Sequence, residues 1–186
     1  MEDTHFLARF HDYKNLIVYK KSEIIYELTY YFCHKYLSSS DRTIDQMIQA
    51  ARSGKQNIVE GRATSETSKE TEIRLMNVAK ASLHELLEDY EDYLKTRHKR
   101  QWEQDSIELN KMRELGKTHN DYTYYMHLAE TRPPETIANM AIVLIKQTDY
   151  LLYHLIKKLG EDFLANGGFK EQMYHARKAA RDQNKQ

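Results

Sequence analysis

Only two prolines occur in the chain, and they are neighbours, Pro133-Pro134. Proline fixes φ and lacks a backbone N–H, so it interrupts helices and strands more reliably than any other residue. With that breaker confined to one place and only six glycines present, the chain has few points at which a helix must stop. Between those points apolar residues recur every three or four positions, the period of a helix with one buried stripe. Residues 13–37 carry Ile17, Ile24, Leu28 and Tyr31 in this way, and Ser38-Ser39-Ser40-Asp41 ends the run and offers N-caps to the next. Residues 42–60 place Ile44, Met47, Ile48, Ala51, Ile58 and Val59 on one arc, with Gly61 as a stop. Residues 69–95 repeat Ile73, Met76, Leu83, Leu87, Tyr90 and Leu94. The last run, 134–159, starts on Pro134, which suits a first helical turn, and carries Ile137, Ala141, Leu144, Leu151 and Leu155 up to Gly160.

Four amphipathic helices joined mostly by short turns predict an all-α protein, an antiparallel up-down four-helix bundle forming one domain over 1–186. Two segments fall outside the four helices. Residues 96–132 are an insertion with a short helix expected around Ser106 to Leu115. An insertion of this length is usually functional or an interaction surface. It also holds the aromatic run Tyr122-Thr123-Tyr124-Tyr125, which fits no helical stripe. Packing on the bundle or on a neighbouring subunit is the expectation for that run, with base stacking as the alternative. The tail, 161–186, shows helical spacing at Phe169, Met173, Tyr174 and Ala176.

Lys plus Arg and Asp plus Glu both number 28, so no global field draws the chain to nucleic acid or to an anionic membrane. Any such attraction must be local. The opening MEDTHFLARFHDYKN has early acids and lacks the apolar core of a secretory signal. The longest clean apolar run, Met140 to Ile145, is too short to span a bilayer. The single Cys33 lies among Tyr30, Tyr31, Phe32 and Tyr36, as a buried thiol in a reducing compartment would. A cytoplasmic protein without membrane association is the expectation.

Several short segments together resemble a known group. Ala50-Ala51, Ser53, Asn57-Ile58, Glu60 and Gly61 close the second helix; Ala79, Ser82, Glu85 and Leu86 follow in the third; and the first contains DYKNLIVYKKSEIIYEL. In order and spacing these resemble the bacterial four-helix-bundle family of proteins encoded in intervening sequences of large-subunit ribosomal RNA genes. That family is related to the accessory variability determinant of diversity-generating retroelements. The resemblance spans roughly residues 10–95 and 135–160. It implies a homo-oligomer, a pentameric ring in relatives, without catalytic activity or cofactor, binding RNA or DNA and protein partners such as a reverse transcriptase. Relatives tend to be basic and to have a short connection where this chain has residues 96–132.

Other constellations read as ordinary structure. SGKQNIVEG suggests the end of a phosphate loop, but Gln49 and Gln56 stand where that loop needs a glycine and a hydroxyl. On a helical wheel Ala51, Gly54 and Ile58 fall on the buried arc, while Gln49, Ser53, Asn57 and Glu60 form a second polar face suited to a subunit interface. Gly54 there permits a close helix approach. Lys55 also falls on the buried arc and is expected to snorkel rather than pair with an acid. A bundle metal site would need Glu-x-x-His on two helices. Glu2 and His5 are the one such pair, and His84 with Glu88 reads as a solvated face. Arg113 and His119 loosely match the spacing of a helical ribonuclease, a third and minor reading. Tyr19, Tyr26, Tyr90 and Tyr150 sit at core-compatible spacing, with rings expected to bury and hydroxyls to stay wet.

Charge is patterned locally. Glu85, Glu88, Asp89, Glu91 and Asp92 precede Lys95, Arg97, Lys99 and Arg100. A basic end on a helix complements its negative C-terminal dipole, which alone accounts for the pattern. The functional reading is a basic bundle end that contacts phosphates, joined by the tail bases Lys170, Arg177, Lys178, Arg181 and Lys185. In a ring each patch would repeat around the axis and bind by avidity. The functional expectation is thus an oligomeric scaffold or adaptor for nucleic acid. Its rival is a protein-binding module that docks through residues 96–132.

Overall fold

The computed structural model describes residues 12–65 and 67–168, together with 171, 173, 174, 177, 178 and 181. Every regular element among these residues is a helix, with no strand among them. A 3-10 turn at Asp12–Asn15 leads into α1 (Ile17–Tyr36), followed by α2 (Thr43–Thr64) and α3 (Lys69–Thr96). Two short helices, α4 (Ile107–Thr118) and α5 (Tyr122–Glu130), precede the long α6 (Pro134–Asn166).

Side-chain caps set several starts. Ser68 Oγ accepts from Thr71 N–H at 3.1 Å, Ser106 Oγ from Leu109 N–H at 3.3 Å and Asp121 Oδ1 from Thr123 N–H at 3.3 Å. Each meets an N–H that the first turn of a helix leaves unsatisfied. Pro134 occupies the first turn of α6, where its missing N–H costs nothing.

The long helices pack in a cycle, α1 on α2, α2 on α3, α3 on α6 and α6 on α1. Along three of these seams, α1–α2, α2–α3 and α3–α6, the contacts run in opposite senses. Cys33 meets Met47 while Tyr26 meets Lys55, and Ser53 meets Ser82 while Arg62 meets Glu72. Lys80 and Glu91 of α3 likewise meet Asp149 and Lys146 of α6. The core between them holds Ile24, Ile25, Leu28, Phe32, Met47, Ile58, Met76, Leu83, Leu86, Tyr90, Leu144 and Ile145, all fully buried.

Glycine misleads at two expected stops. α2 runs through Gly61 to Thr64, because Gly61 is a contact residue: a Cβ there would lie 3.1 Å from Met76 Cε and 3.4 Å from Glu72 O. α6 runs through Gly160 to Asn166, and it is Gly167, at φ +67°, that ends it with N–H bonded to Phe163 O. Left-handed φ is the signature of a helix-terminating glycine, and Gly160 lacks it. At the other end of the chain, α1 begins at Ile17 rather than Tyr13.

The insertion contains a second helix that the spacing of its apolar residues did not predict. α5 covers the whole Tyr122 to Tyr125 run, whose aromatic and β-branched composition suits a strand better than a helix. What fixes it as a helix is the Asp121 cap and an inward face of Tyr125 and Ala129, both fully buried. Tyr125 donates to the carbonyls of Leu115 and His119, and α5 packs on α1. The run therefore packs on the bundle, while Tyr122 stays exposed. In the tail, Met173 is half-buried and Tyr174 exposed, and Phe169 and Ala176 lie outside the described side chains.

Candidate functional site

At the end of α3 the chain turns through His98, whose φ of 51° is left-handed. Lys99 N–H bonds back to Leu94 O at 2.8 Å and His98 N–H to Lys95 O at 3.2 Å. This is a helix-terminating motif usually built on glycine. Beyond it, the buried Asn139 side chain of α6 clamps the chain: Nδ2 donates to Arg100 O at 2.9 Å and Oδ1 accepts from Trp102 N–H at 2.8 Å. Residues 97–102 are thus held at both ends.

That clamp presents Lys95, Arg97, Lys99 and Arg100 to solvent, all exposed. Arg97 lies over the Tyr93 ring at 4.4 Å and 3.7 Å from Asp41, and Arg100 is 3.7 Å from Glu108. Contacts of that length between exposed charges are weak and leave the guanidinium groups accessible. Lys95 and Lys99 have no carboxylate partner among the described residues. The Arg97–Asp41 contact and the Tyr36 hydroxyl bond to Arg132 O bring the ends of α1 and α3 together with the starts of α2 and α6. Exposed Lys35, Arg42 and Arg132 therefore share this end of the bundle.

The tail bases stand apart. Arg177, Lys178 and Arg181 are exposed, and Lys170 and Lys185 lie outside the described side chains. α6 starts at the basic end and has 33 residues, so the chain enters the tail about 50 Å away at 1.5 Å rise per residue. The tail is not a continuation of the α3 patch along the chain.

The signature residues turn largely inward. Ser53 Oγ lies 2.9 Å from Ser82 Oγ, and Asn57 Nδ2 donates to Ser53 O at 2.9 Å and to Ser53 Oγ at 3.2 Å. The polar face expected to meet another subunit is thus partly spent between α2 and α3, leaving Glu60 and Glu85 exposed. Gly54 brings these helices close, since a Cβ there would stand 2.9 Å from Leu83 Cδ2 and 3.6 Å from Ala79 O. At the mouth of the same seam, fully buried Glu72 takes Arg62 at 2.8 Å and Lys69 at 3.0 Å, one cation per carboxylate oxygen. Lys55 is half-buried with Nζ 4.0 Å above the Tyr26 ring centroid, a cation–π contact in place of an acid.

A second feature lies where α4 and the clamped turn meet α1 and α6. A mostly apolar cavity of about 720 Å³ is lined by Ile17, Trp102, Leu109, Ile142, Val143 and Leu151. Its polar lining includes four cations, Lys21, Arg113, Lys117 and Lys146, and no Asp or Glu among the described residues. Lys117 pairs with Glu114 at 2.6 Å and Lys146 with Glu91 at 2.8 Å, both acids standing outside the cavity. Lys21 is 2% exposed and donates to Gly116 O, and burial pushes its pKa down to about 8. Gln147 Nε2 donates to Arg113 O at 2.9 Å, while its buried Oε1 has no donor. Lys21 was missed from the sequence although its position announces it: it follows Ile17 and precedes Ile25 by four residues each, inside the apolar stripe.

Other expected groups resolve into local structure. Cys33 is buried beside Met47, and burial pushes its thiol up to about 12, out of the reactive range. His84 Nε2 lies 2.6 Å from Asp149 Oδ1, which also faces Lys80 at 3.4 Å, and no cluster with metal-binding composition exists among the described residues. Glu2 and His5 lie outside the described residues. Arg113 lines the cavity with NH1 3.4 Å from Gln104 O, whereas His119 stacks on Tyr124 at 4.1 Å and touches Thr118 Oγ1. The two side chains have separate surroundings. Tyrosine burial departs from expectation at two sites: Tyr150 is 62% exposed, facing the cavity mouth, and fully buried Tyr90 donates to Thr29 Oγ1 at 3.1 Å rather than to water. No helix among the described residues is long and apolar enough to cross a membrane.

Compared with protein-family models, curated proteins and solved structures, the chain matches none.

Proposed function

We propose that the chain is a non-enzymatic, cytoplasmic, oligomeric bundle protein that binds the phosphate backbone of RNA or DNA through its basic end. In this reading α1, α2, α3 and α6 form an antiparallel up-down four-helix bundle of the intervening-sequence type. Residues 96–132 are its insertion and residues after 166 its tail. The observation that carries the proposal is the turn at the end of α3. Four exposed cations, Lys95, Arg97, Lys99 and Arg100, project from backbone that the Leu94 carbonyl and Asn139 hold in place. Fixed cations lose less freedom on meeting phosphates than cations on a loose loop. Assembly into a ring, a pentamer as in the resembling family, would present the patch repeatedly and raise apparent affinity through effective concentration.

The test is fluorescence anisotropy with labelled single-stranded RNA and duplex DNA at low salt. Replacing Lys95, Arg97, Lys99 and Arg100 together by Gln should weaken binding at least tenfold while leaving helical content unchanged. Unaltered affinity, or no binding by the parent protein, overturns the proposal. A second reading, docking of a protein such as a reverse transcriptase on the insertion, draws on Ile107 and Tyr122, which are 70% and 42% exposed on α4 and α5. Capture of such a partner that is lost on replacing Ile107 and Tyr122 by Ser, yet kept in the Gln variant, favours that reading.

A further inference from the structure

We propose that the cavity between α1, α4, α6 and the clamped turn is a binding site for a small carboxylate with an apolar body, and that the Lys21 ammonium is the group that takes the carboxylate. This reading does not depend on nucleic-acid binding, which uses the outward side of the same turn.

Three observations converge on it. First, the cavity has the volume and character of a ligand site: about 720 Å³ with mainly apolar walls from Trp102, Ile142, Val143 and Leu151. Pockets that enclose small organic molecules have this size and a few fixed polar groups. Second, its charge is one-sided. The four side chains of the lining that carry charge at neutral pH are all cations. Two of them have acids of their own, but among the described residues the polar partners of Lys21 and Arg113 are backbone carbonyls, Gly116 O and Gln104 O. Third, Lys21 is built into place rather than left on the surface. An ammonium has three donors, and the described residues offer it one acceptor. A buried cation without a counter-ion is costly, and burial lowers its proton affinity here. A carboxylate entering the cavity would supply both the missing charge and the missing acceptors, while its apolar body would cover the walls.

Geometry also argues against a neutral or cationic occupant. A cation would meet Lys21 and Arg113, the two lining cations with no acid beside them among the described residues, and a neutral apolar molecule would leave the Lys21 ammonium without a counter-ion. The α4 helix holds the site together, since Gly116 gives Lys21 its acceptor and Gln147 anchors the Arg113 carbonyl.

Trp102, the only tryptophan of the chain, lies in the cavity wall and is a built-in reporter. Its fluorescence would be titrated at pH 7 with dodecanoate, 1-dodecanol and dodecyltrimethylammonium, each below its micelle-forming concentration. Dodecanoate is expected to saturate the signal with a Kd at least tenfold below that of dodecanol, and the cation to give no saturable change. In Lys21→Met, which keeps the volume of the side chain, the advantage of dodecanoate over dodecanol should disappear while dodecanol binding persists. A charge-assisted contact of this kind contributes about tenfold or more in affinity. Val143→Phe, which narrows the cavity while keeping Lys21 and leaves Trp102 the only indole, should weaken both titrations. Equal affinity for dodecanoate and dodecanol in the parent protein, retention of the carboxylate preference in Lys21→Met, or no saturable response to dodecanoate each overturns the proposal. Because dodecanol binding reports an intact cavity, a Lys21→Met protein that had lost the α4 docking would be recognised.

Discussion

The α2–α3 seam and the α4–α6 seam are both helix pairs with a glycine at the contact, yet one is closed and the other encloses a cavity. At Gly54 the opposing surface is the branched end of Leu83 and the Ala79 carbonyl, so the helices meet at close to backbone distance. At Gly116 the opposing group is the amide end of Gln147, and the glycine carbonyl takes the Lys21 ammonium. Polar side chains fill the gap there, and behind them lies the cavity. A glycine therefore marks close approach, while the character of the side chain opposite decides whether the seam is dry packing or a place where polar groups hold helices apart.

The largest effect should come from overfilling the closed seam. Gly54→Leu pushes a branched side chain into Leu83, and overpacking of this kind costs roughly 3 kcal/mol or somewhat more. Urea unfolding would measure it, and a loss below about 1 kcal/mol would mean the seam is looser than described.

Charge separates the two seams next. The folded pKa of Lys21 is about 8 against an ordinary 10.5, so between those values the unfolded chain binds the proton that the native state has released. Stability of the native state is therefore penalised below pH 8 and recovers as pH rises to 10.5. The recovery should reach up to about 3 kcal/mol in the parent protein and be absent in Lys21→Met. Cys33, Tyr19 and Tyr125 are each pushed up to about 12, so their ionisation on unfolding erodes stability in the alkaline range. The difference between parent and variant, followed by urea unfolding from pH 7 to 10, isolates Lys21. A flat difference contradicts its assignment.

Gly116→Ala tests the open seam with a smaller expected loss. The new methyl collides with the flexible end of Gln147 rather than with backbone, so a cost of about 1 kcal/mol is expected, relieved in part when Gln147 is also Ala. An additive double variant would sever the two residues. The smallest effect concerns the turn outside both seams. His98→Gly removes a side chain from left-handed backbone and should raise stability by about 1 kcal/mol in thermal or urea unfolding.

What was legible in the sequence follows the same division. Stripes such as Ile24, Leu28 and Tyr31 located the long helices because burial of an apolar face dominates their energetics, although Ile17, at the start of the same stripe, is 42% exposed. Gly54 could be read as a contact glycine because it falls on the buried arc of α2. Gly61 and Gly160 could not be told from stops, since that depends on φ and on what stands opposite. The basic run at the end of α3 was visible as residues, but its fixed presentation depends on Asn139, a polar residue within the apolar stretch of α6 and 37 positions beyond Trp102. The cavity was least legible. Its walls come from α1, the clamped turn, α4 and α6, and its one local sign was Lys21 inside an apolar stripe, an anomaly of the same kind as Lys55. The two lysines resolve differently: Lys55 meets an aromatic face, and Lys21 a carbonyl beside a cavity.

The central claim is that the cations held at the end of α3 form the working surface, and the most direct measurement is the salt dependence of binding to a labelled single-stranded RNA. Four cations that neutralise phosphates predict a plot of log affinity against log salt with a slope of about −3, falling towards zero when Lys95, Arg97, Lys99 and Arg100 are replaced by Gln. A slope near zero in the parent protein, or an unchanged slope in the variant, would contradict the account.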